Sequence, residues 1–395
     1  MIDTSRGVYW RLSGFYFFYY AVLGTILPYL SLYLSDRGLD AQSIGWILAV
    51  LAGTRIIAPN ALGWFADHFG RHIKVIRLGA AIAFIAFLGI FLVDAFTGLL
   101  WVVFAFSFFW NGILSQFEAI TLESLGTKRD TYGRIRAWGS AGFIFMVIGL
   151  GMAFDYLPIR LLPVFIAVLL GLIWLTTLTV PTKQNHKAAK SVASPYRILR
   201  NPKVLGFLLV SFLIQVAHAP YYVFFSVYLE GLGYNRSLIG ALWATGVVAE
   251  ILLFLGMHNL FRKHSIRDIA LVSLALMTLR WYLTAQFSDT LIVLVVAQAL
   301  HAFSFGSLHA CSMEIVQRFF RPGLEGRGQA YYSSVSFGAG SSVGAIIAGY
   351  FWMTNGSNIA FYFAISVSML ALFIAIVCYR GPVFEARAGV KYELT

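Results

Sequence analysis

Charge is scarce in this 395-residue sequence: Asp, Glu, Lys and Arg together make up 12% of it, where an ordinary soluble domain carries about 25%. With 59% hydrophobic residues and a mean hydropathy of +0.77, a water-soluble globular class is excluded. Cysteine is scarcer still. Cys311 and Cys378 lie far apart within apolar runs, which argues against a disulfide framework and leaves packing as their role. Phosphate-loop, HExxH and GxSxG patterns are all absent. His68 and His72 have the i, i+4 spacing of a metal pair, but Arg71 and Lys74 beside them oppose a cation. No nucleophile, metal set or cofactor is therefore expected, and a membrane-embedded enzyme or a receptor is the outlying alternative.

What the sequence has instead is long apolar runs. A helix needs about 20 such residues to cross a bilayer, and twelve stretches qualify: 10–34, 42–66, 73–93, 98–122, 137–157, 161–180, 203–229, 236–257, 265–286, 290–315, 327–351 and 358–380. The expectation is an all-α integral membrane protein of twelve transmembrane helices. Residues 1–11 lead straight into the first run with no small-residue cleavage site, so that run is read as an uncleaved helix.

Of the 29 Lys and Arg, only Arg37, Arg160 and Arg236 fall in odd-numbered connections, and Arg55, Arg136 and Arg280 fall within helices. The remainder, such as Arg71, Lys74, Arg77, Lys128 and Arg129, fall at the termini or in even-numbered connections and the run ends that border them. By the positive-inside rule both termini and the central loop face the cytoplasm, as for a multi-pass plasma-membrane protein, bacterial inner membrane included. The net charge of +12 thus reads as a topology signal, and no nucleic-acid partner is expected.

The sequence also repeats itself. Tyr33, Leu34, Gly38, Ile44 and Gly45 recur 195 positions on as Tyr228, Leu229, Gly233, Ile239 and Gly240. Gly133, Arg134, Ala137 and Ser140 recur 193 positions on as Gly326, Arg327, Ala330 and Ser333. Two six-helix halves are expected, 1–180 and 203–395, the second with a short cytoplasmic tail. The polar linker 181–202 between them carries Lys183, Lys187, Lys190, Arg197 and Arg200. Halves joined in this way can rock about a site between them.

Inside the apolar runs sit ionisable residues, each costing about 2.5–3.5 kcal/mol at bilayer depth unless it pairs, faces a water-filled cavity or carries ions. At 1.5 Å per residue, Glu250 lies roughly 12 Å in from His258, Arg280 about 18 Å from Asp268 and His301 about 17 Å from Thr290. Arg55, about 12 Å from Gly63, is the counterpart of Glu250 in the first half. Charges at such depth point to transport.

The stretch 63–74, GWFADHFGRHIK, resembles the loop 2–3 signature of the major facilitator superfamily in Gly63, Asp67, Gly70, Arg71 and Lys74. The resemblance implies a two-bundle major facilitator fold, alternating access, and a latch in this loop that holds the outward-facing state. Its counterpart 256–267 has Leu260 where Asp67 stands, so the full latch is expected only in the first half. The stretch 117–139 is similar to lactose permease and its relatives. It places Glu118 and Arg136 at that family's substrate-binding positions, while Glu250, Arg280 and His301 match members of its proton-coupling cluster. Ser304 stands where that family carries a further carboxylate. The stretch 215–268 resembles bacterial 3-phenylpropionate permeases.

Together these resemblances imply proton-driven import of a small organic solute, most plainly an aromatic or other monocarboxylic acid. Proton-linked sugar or nucleoside symport and drug/proton antiport are the alternatives. The proton gradient is the implied energy source and a monomer suffices. Glu250 reads either as a fixed ion pair with Arg280 or as a group that exchanges a proton as its surroundings alternate, with His301 relaying or orienting. Arg55 and Arg136 read either as structural arginines or as bidentate clamps on a substrate carboxylate. Gln215, His218, Tyr221 and Tyr222 cluster on the seventh helix, where Pro220 suggests a break, and Asn111 lies on the fourth. All are candidate substrate contacts. Gly338, Gly340, Gly344 and Gly349 read as close helix packing.

Overall fold

Twelve long apolar helices carry the chain in the computed structural model, which describes residues 6–126, 131–180, 196–320 and 324–387. They are α1 Gly7–Asp36, α2 Ala41–Phe69, α3 His72–Phe91, α4 Phe96–Leu125, α5 Tyr132–Phe154, α6 Ile159–Thr179, α7 Pro202–Gly231, α8 Arg236–Lys263, α9 Ile266–Gln286, α10 Leu291–Phe319, α11 Glu325–Asn355 and α12 Ser357–Cys378. Among the described residues there is no strand. Lys128 and Arg129, and linker residues 181–195 with Lys183, Lys187 and Lys190, lie outside the described residues.

The helix limits follow local chemistry. Asp40 caps α2, its carboxylate accepting from the Ser43 N–H at 2.7 Å, and Ser265 caps α9 through the Asp268 N–H at 3.1 Å; both satisfy donors that a helix start leaves open. α2 ends on Gly70, whose φ of +59° lets its N–H return to the Ala66 carbonyl, a left-handed cap that glycine adopts without strain. The 195-residue repeat has the same basis. Gly38 and Gly233 take φ of +84° and +88°, and in each case the next residue's N–H reaches back five positions, Leu39 to Leu34 and Tyr234 to Leu229, both at 3.1 Å. Asn235, like Asp40, then caps the following helix.

Two compact units result, the first within Met1–Ala189 and Val223–Ala241, the second within Lys190–Tyr222 and Leu242–Thr395. In the first, α1 packs on α5 and α6, α2 on α4, and α3 on α4 and α6. Glycines allow the α1–α5 backbones to meet: a Cβ on Gly142 would lie 2.1 Å from the Phe17 carbonyl oxygen, and one on Gly24 would lie 2.6 Å from that of Phe143. The α7–α8 turn belongs to this unit. Gly240 faces the Val147 carbonyl and Gly151 that of Arg236, while the Asp155 carboxylate accepts from the Arg236 N–H at 2.8 Å and from Ser237.

In the second unit α9 packs on α10 and α12. Gly340 and Gly344 of α11 fit against α7, where added Cβ atoms would come 2.7 Å from the Phe212 carbonyl oxygen and 2.6 Å from the Ala219 Cβ. The break expected at Pro220 is not there: α7 runs unbroken through it. A proline inside a membrane-spanning helix is commonly tolerated in this way. The irregular backbone lies elsewhere, in π turns at Ala302–Ser307 of α10 and Ser334–Gly340 of α11.

Candidate functional site

The second unit gathers Glu250, Arg280, His301, His218, Tyr221 and Tyr222 into one cluster, in which Arg280, His301, His218 and Tyr221 are buried and Glu250 and Tyr222 half-buried. Arg280 on α9 is wholly buried and spreads its guanidinium over α10. Nε donates to the Ala297 carbonyl at 3.1 Å, and Nη1 donates both to His301 Nδ1 and to the Ser304 hydroxyl at 3.0 Å. Its charge lies 4.3 Å and 4.4 Å from the ring centres of Tyr221 and Trp281, a favourable setting for a desolvated cation. Ser304 thus supplies a neutral acceptor to the same arginine.

The direct Glu250–Arg280 ion pair weighed from the sequence is replaced by a three-part series. Arginine can only donate, so the His301 nitrogen facing it is bare and the ring proton sits on Nε2. That nitrogen lies 4.0 Å from Glu250 Oε2. His301 therefore presents a donor to the carboxylate and an acceptor to the guanidinium, which holds the imidazole in one tautomer. Glu250 stands near the centre of α8, about 20 Å from its Lys263 end at 1.5 Å per residue. That is deeper than the sequence estimate, because α8 extends beyond His258.

Around this series several buried polar atoms have no hydrogen-bond partner among the described residues: Arg280 Nη2, Trp281 Nε1, Gln298 Nε2 and His218 Nε2. His218 donates from Nδ1 to the Ile214 carbonyl at 2.7 Å, so its free nitrogen is an acceptor while the other three atoms are donors. Tyr221 donates to Gln298 Oε1 at 2.9 Å, and His218 packs edge-on against Trp281 with ring centres 5.0 Å apart. Leaving a buried polar group unpaired costs about 1–3 kcal/mol, so this concentration sets the cluster apart from a purely structural core. Trp281 and Gln298 were missed from the sequence; a glutamine in the apolar run LIVLVVAQAL was the available signal. Tyr222 stacks on His218. Gln215 lies lower on α7, accepting from the Ser341 hydroxyl at 3.3 Å.

Residues 9–363 match the model of the MFS_1 like family. The chain belongs to that family. It is a major facilitator transporter, and transport rather than enzymatic catalysis is its class. It is 29% identical to the probable 3-phenylpropionic acid transporter of Escherichia coli (strain K12) over 376 residues, 92% of this chain and 96% of that protein. It is 26% identical to the putative nucleoside transporter YegT of the same organism, over 75% of this chain and 73% of that protein. The crystal structure of the nucleoside transporter NupG superposes with a TM-score of 0.84, covering 95% of this chain and 100% of that one at 19% identity, a likeness of fold. Twelve spans and bacterial relatives accord with an inner-membrane protein.

The transporter's first unit holds its charged candidates in two separate pairs. Arg136 donates to the Tyr20 hydroxyl, lies 4.0 Å over the Tyr20 ring, and has Nε 3.9 Å from Glu118 Oε1; its charge is balanced within the unit. Arg55 donates from Nε to Asn111 Oδ1 at 3.2 Å. Asn111 in turn gives its two N–H bonds to the Leu51 carbonyl and the Thr54 hydroxyl, so its amide ties α4 to α2 and presents Arg55. No carboxylate pairs with Arg55 among the described residues.

In the loop between α2 and α3 Gly63 lies 3.0 Å, measured from an added Cβ, from the Gln116 amide, Gly70 makes the turn, and Asp67 faces His72 Nε2 at 3.4 Å. His72 also contacts Gln116 at 3.3 Å. Arg71 and Lys74 follow the cap at the start of α3.

Proposed function

We propose that this transporter imports a small organic acid together with a proton, with Glu250 as the protonated group, His301 and Arg280 setting its surroundings, and an aromatic monocarboxylate as the substrate. The observation that carries the reading is the Glu250–His301–Arg280 series beside buried donors that have no partner among the described residues. A carboxyl group enclosed in apolar surroundings favours its protonated form, and one opened to water or facing a cation favours the ionised form. Alternation between the two settings takes up a proton on one side and releases it on the other. For each charge moved, the membrane potential contributes about 2.3 kcal/mol per 100 mV.

The acid class is supported by the relative named for 3-phenylpropionic acid and by Arg55, a guanidinium presented without a carboxylate partner among the described residues. Arg55 is the better candidate for the substrate carboxylate, since Arg136 already faces Glu118. Nucleoside symport is the second reading, favoured by the similarity to a putative nucleoside transporter. Both termini are assigned to the cytoplasm on the distribution of Lys and Arg.

The test is uptake into proteoliposomes under an imposed pH gradient, using labelled aromatic acids, sugars and nucleosides in parallel. Accumulation of acids that is lost in Arg55→Ala, with neutral analogues unaffected, supports the reading. Accumulation of nucleosides alone replaces it with the second.

A further inference from the structure

Three rings stack in series along α10. His301 lies on Phe305 with centroids 5.3 Å apart and planes 12° apart, and Phe305 lies on His309 at 6.1 Å and 7°. The π turn Ala302–Ser307 underlies the middle ring. At one end stands the Glu250–His301–Arg280 series. Glu250 itself rests on the same turn, since a Cβ on Gly306 would come 3.0 Å from its Cγ. At the other end Phe305 and His309 line a crevice with Ser211, Gln215, Ser312 and Tyr332.

The crevice is furnished for water. His309 Nδ1 contacts the Tyr332 hydroxyl at 3.2 Å, and Ser336 donates to the Ser211 carbonyl at 3.0 Å; hydroxyl, amide and imidazole groups of this kind are the partners a buried water needs. Tyr332 faces His309 from α11, Gln215 and Ser211 line the crevice from α7, and Ser312 lines it from α10 itself. No carboxylate or basic chain other than His309 is among the lining residues. Polar groups share this crevice with Ile214, Leu308 and Phe337, and the ring of Phe305, stacked between His301 and His309, sits on a π turn, a backbone form that recurs at functional sites.

We propose that Phe305 is a plug between two protonatable stations, Glu250 with His301 on one side and His309 on the other, and that protons from Glu250 leave by His309 and the crevice when the ring swings aside. This rests on the proton-coupled reading above. The proton leaves the Glu250 carboxyl for a water molecule, a water proton passes to His309 Nε2, and the imidazolium returns one proton to crevice water, so His309 ends as it began and Glu250 is left as the carboxylate that takes up the next proton. His301 does not stand in this line. Its Nε2 already carries a proton and its Nδ1 is held by Arg280, so passage goes beside that imidazole rather than through it.

The plug itself is tested without substrate. Proteoliposomes loaded with a pH-sensitive dye are given a pH gradient with valinomycin present, and proton entry is followed for wild type, Phe305→Ala, and Phe305→Ala with His309→Gln. Phe305→Ala is expected to leak protons several-fold faster than wild type, and the added His309→Gln to bring the rate back toward it. Phe305→Val, which keeps a branched apolar group, serves in place of the alanine variant if that fails to fold. A leak equal to wild type, or one indifferent to His309→Gln, overturns the plug. Proton entry evoked by 3-phenylpropionate in wild type is read in the same vesicles. If substrate moves without protons while the leak behaves as expected, the coupled reading fails and the proton path stands. If coupling is normal and Phe305→Ala is tight, the plug alone fails.

Discussion

Arg280 illustrates why a buried charge persists in an apolar helix. Its guanidinium meets a carbonyl, an imidazole and a hydroxyl at once, between two aromatic faces, and only a planar fork has that reach. Arg280→Lys is expected to fold but to lose proton-driven accumulation at least about tenfold, the equivalent of ~1.4 kcal/mol, because one ammonium cannot serve Ala297, His301 and Ser304 together; uptake in vesicles checks this. Ser304→Asp puts a carboxylate beside the guanidinium. It is expected to draw Arg280 away from His301 and weaken coupling, read as a smaller pH dependence of uptake. Glu250, Arg280 and His301 were legible in the sequence because ionisable residues stand out in apolar runs. Their order was not, since nothing in the spacing tells that an imidazole stands between the acid and the base. Trp281 Nε1 and Gln298 Nε2, without a partner among the described residues, were hidden for the same reason: a polar atom's isolation depends on three helices at once.

At the scale of helices, glycine decides how closely backbones approach. Gly142→Ala would drive a Cβ into the Phe17 carbonyl of α1, and because the obstacle is backbone the helices must separate, at a cost of about 1–3 kcal/mol. Gly149→Ala on the same helix meets open space and is expected to change stability by no more than about 0.5 kcal/mol. Thermal unfolding in detergent should therefore fall by several degrees for the first and hold for the second. Span positions were legible to within a few residues, because twenty apolar residues can do little else in a bilayer. Their polar ends were less so: α5 starts at Tyr132 and α8 continues to Lys263, both past the apolar windows. Pro220 misled because a proline's missing donor is disruptive in water and tolerated among packed helices. The π turns left no trace in composition.

For the molecule as a whole, the repeat was legible because identical turns need identical residues, with Gly38 and Gly233 at positive φ. What the repeat did not convey is that the α7–α8 turn is bound into the first unit through Asp155. Asp155→Ala removes the acceptor of the first N–H groups of α8, and hydrogen exchange at Arg236 and Ser237 is expected to speed up while α9 is unaffected. Topology has its own check: single cysteines placed at Arg71 and Arg160 are expected to label from opposite faces of the membrane. The account as a whole turns on whether Glu250 carries the proton. Accumulation against a gradient and exchange at equilibrium should be measured side by side in wild-type and Glu250→Gln vesicles, using the substrate the wild type concentrates. The account predicts that the variant still exchanges substrate but no longer accumulates it under a pH gradient; uphill uptake at the wild-type level would contradict it.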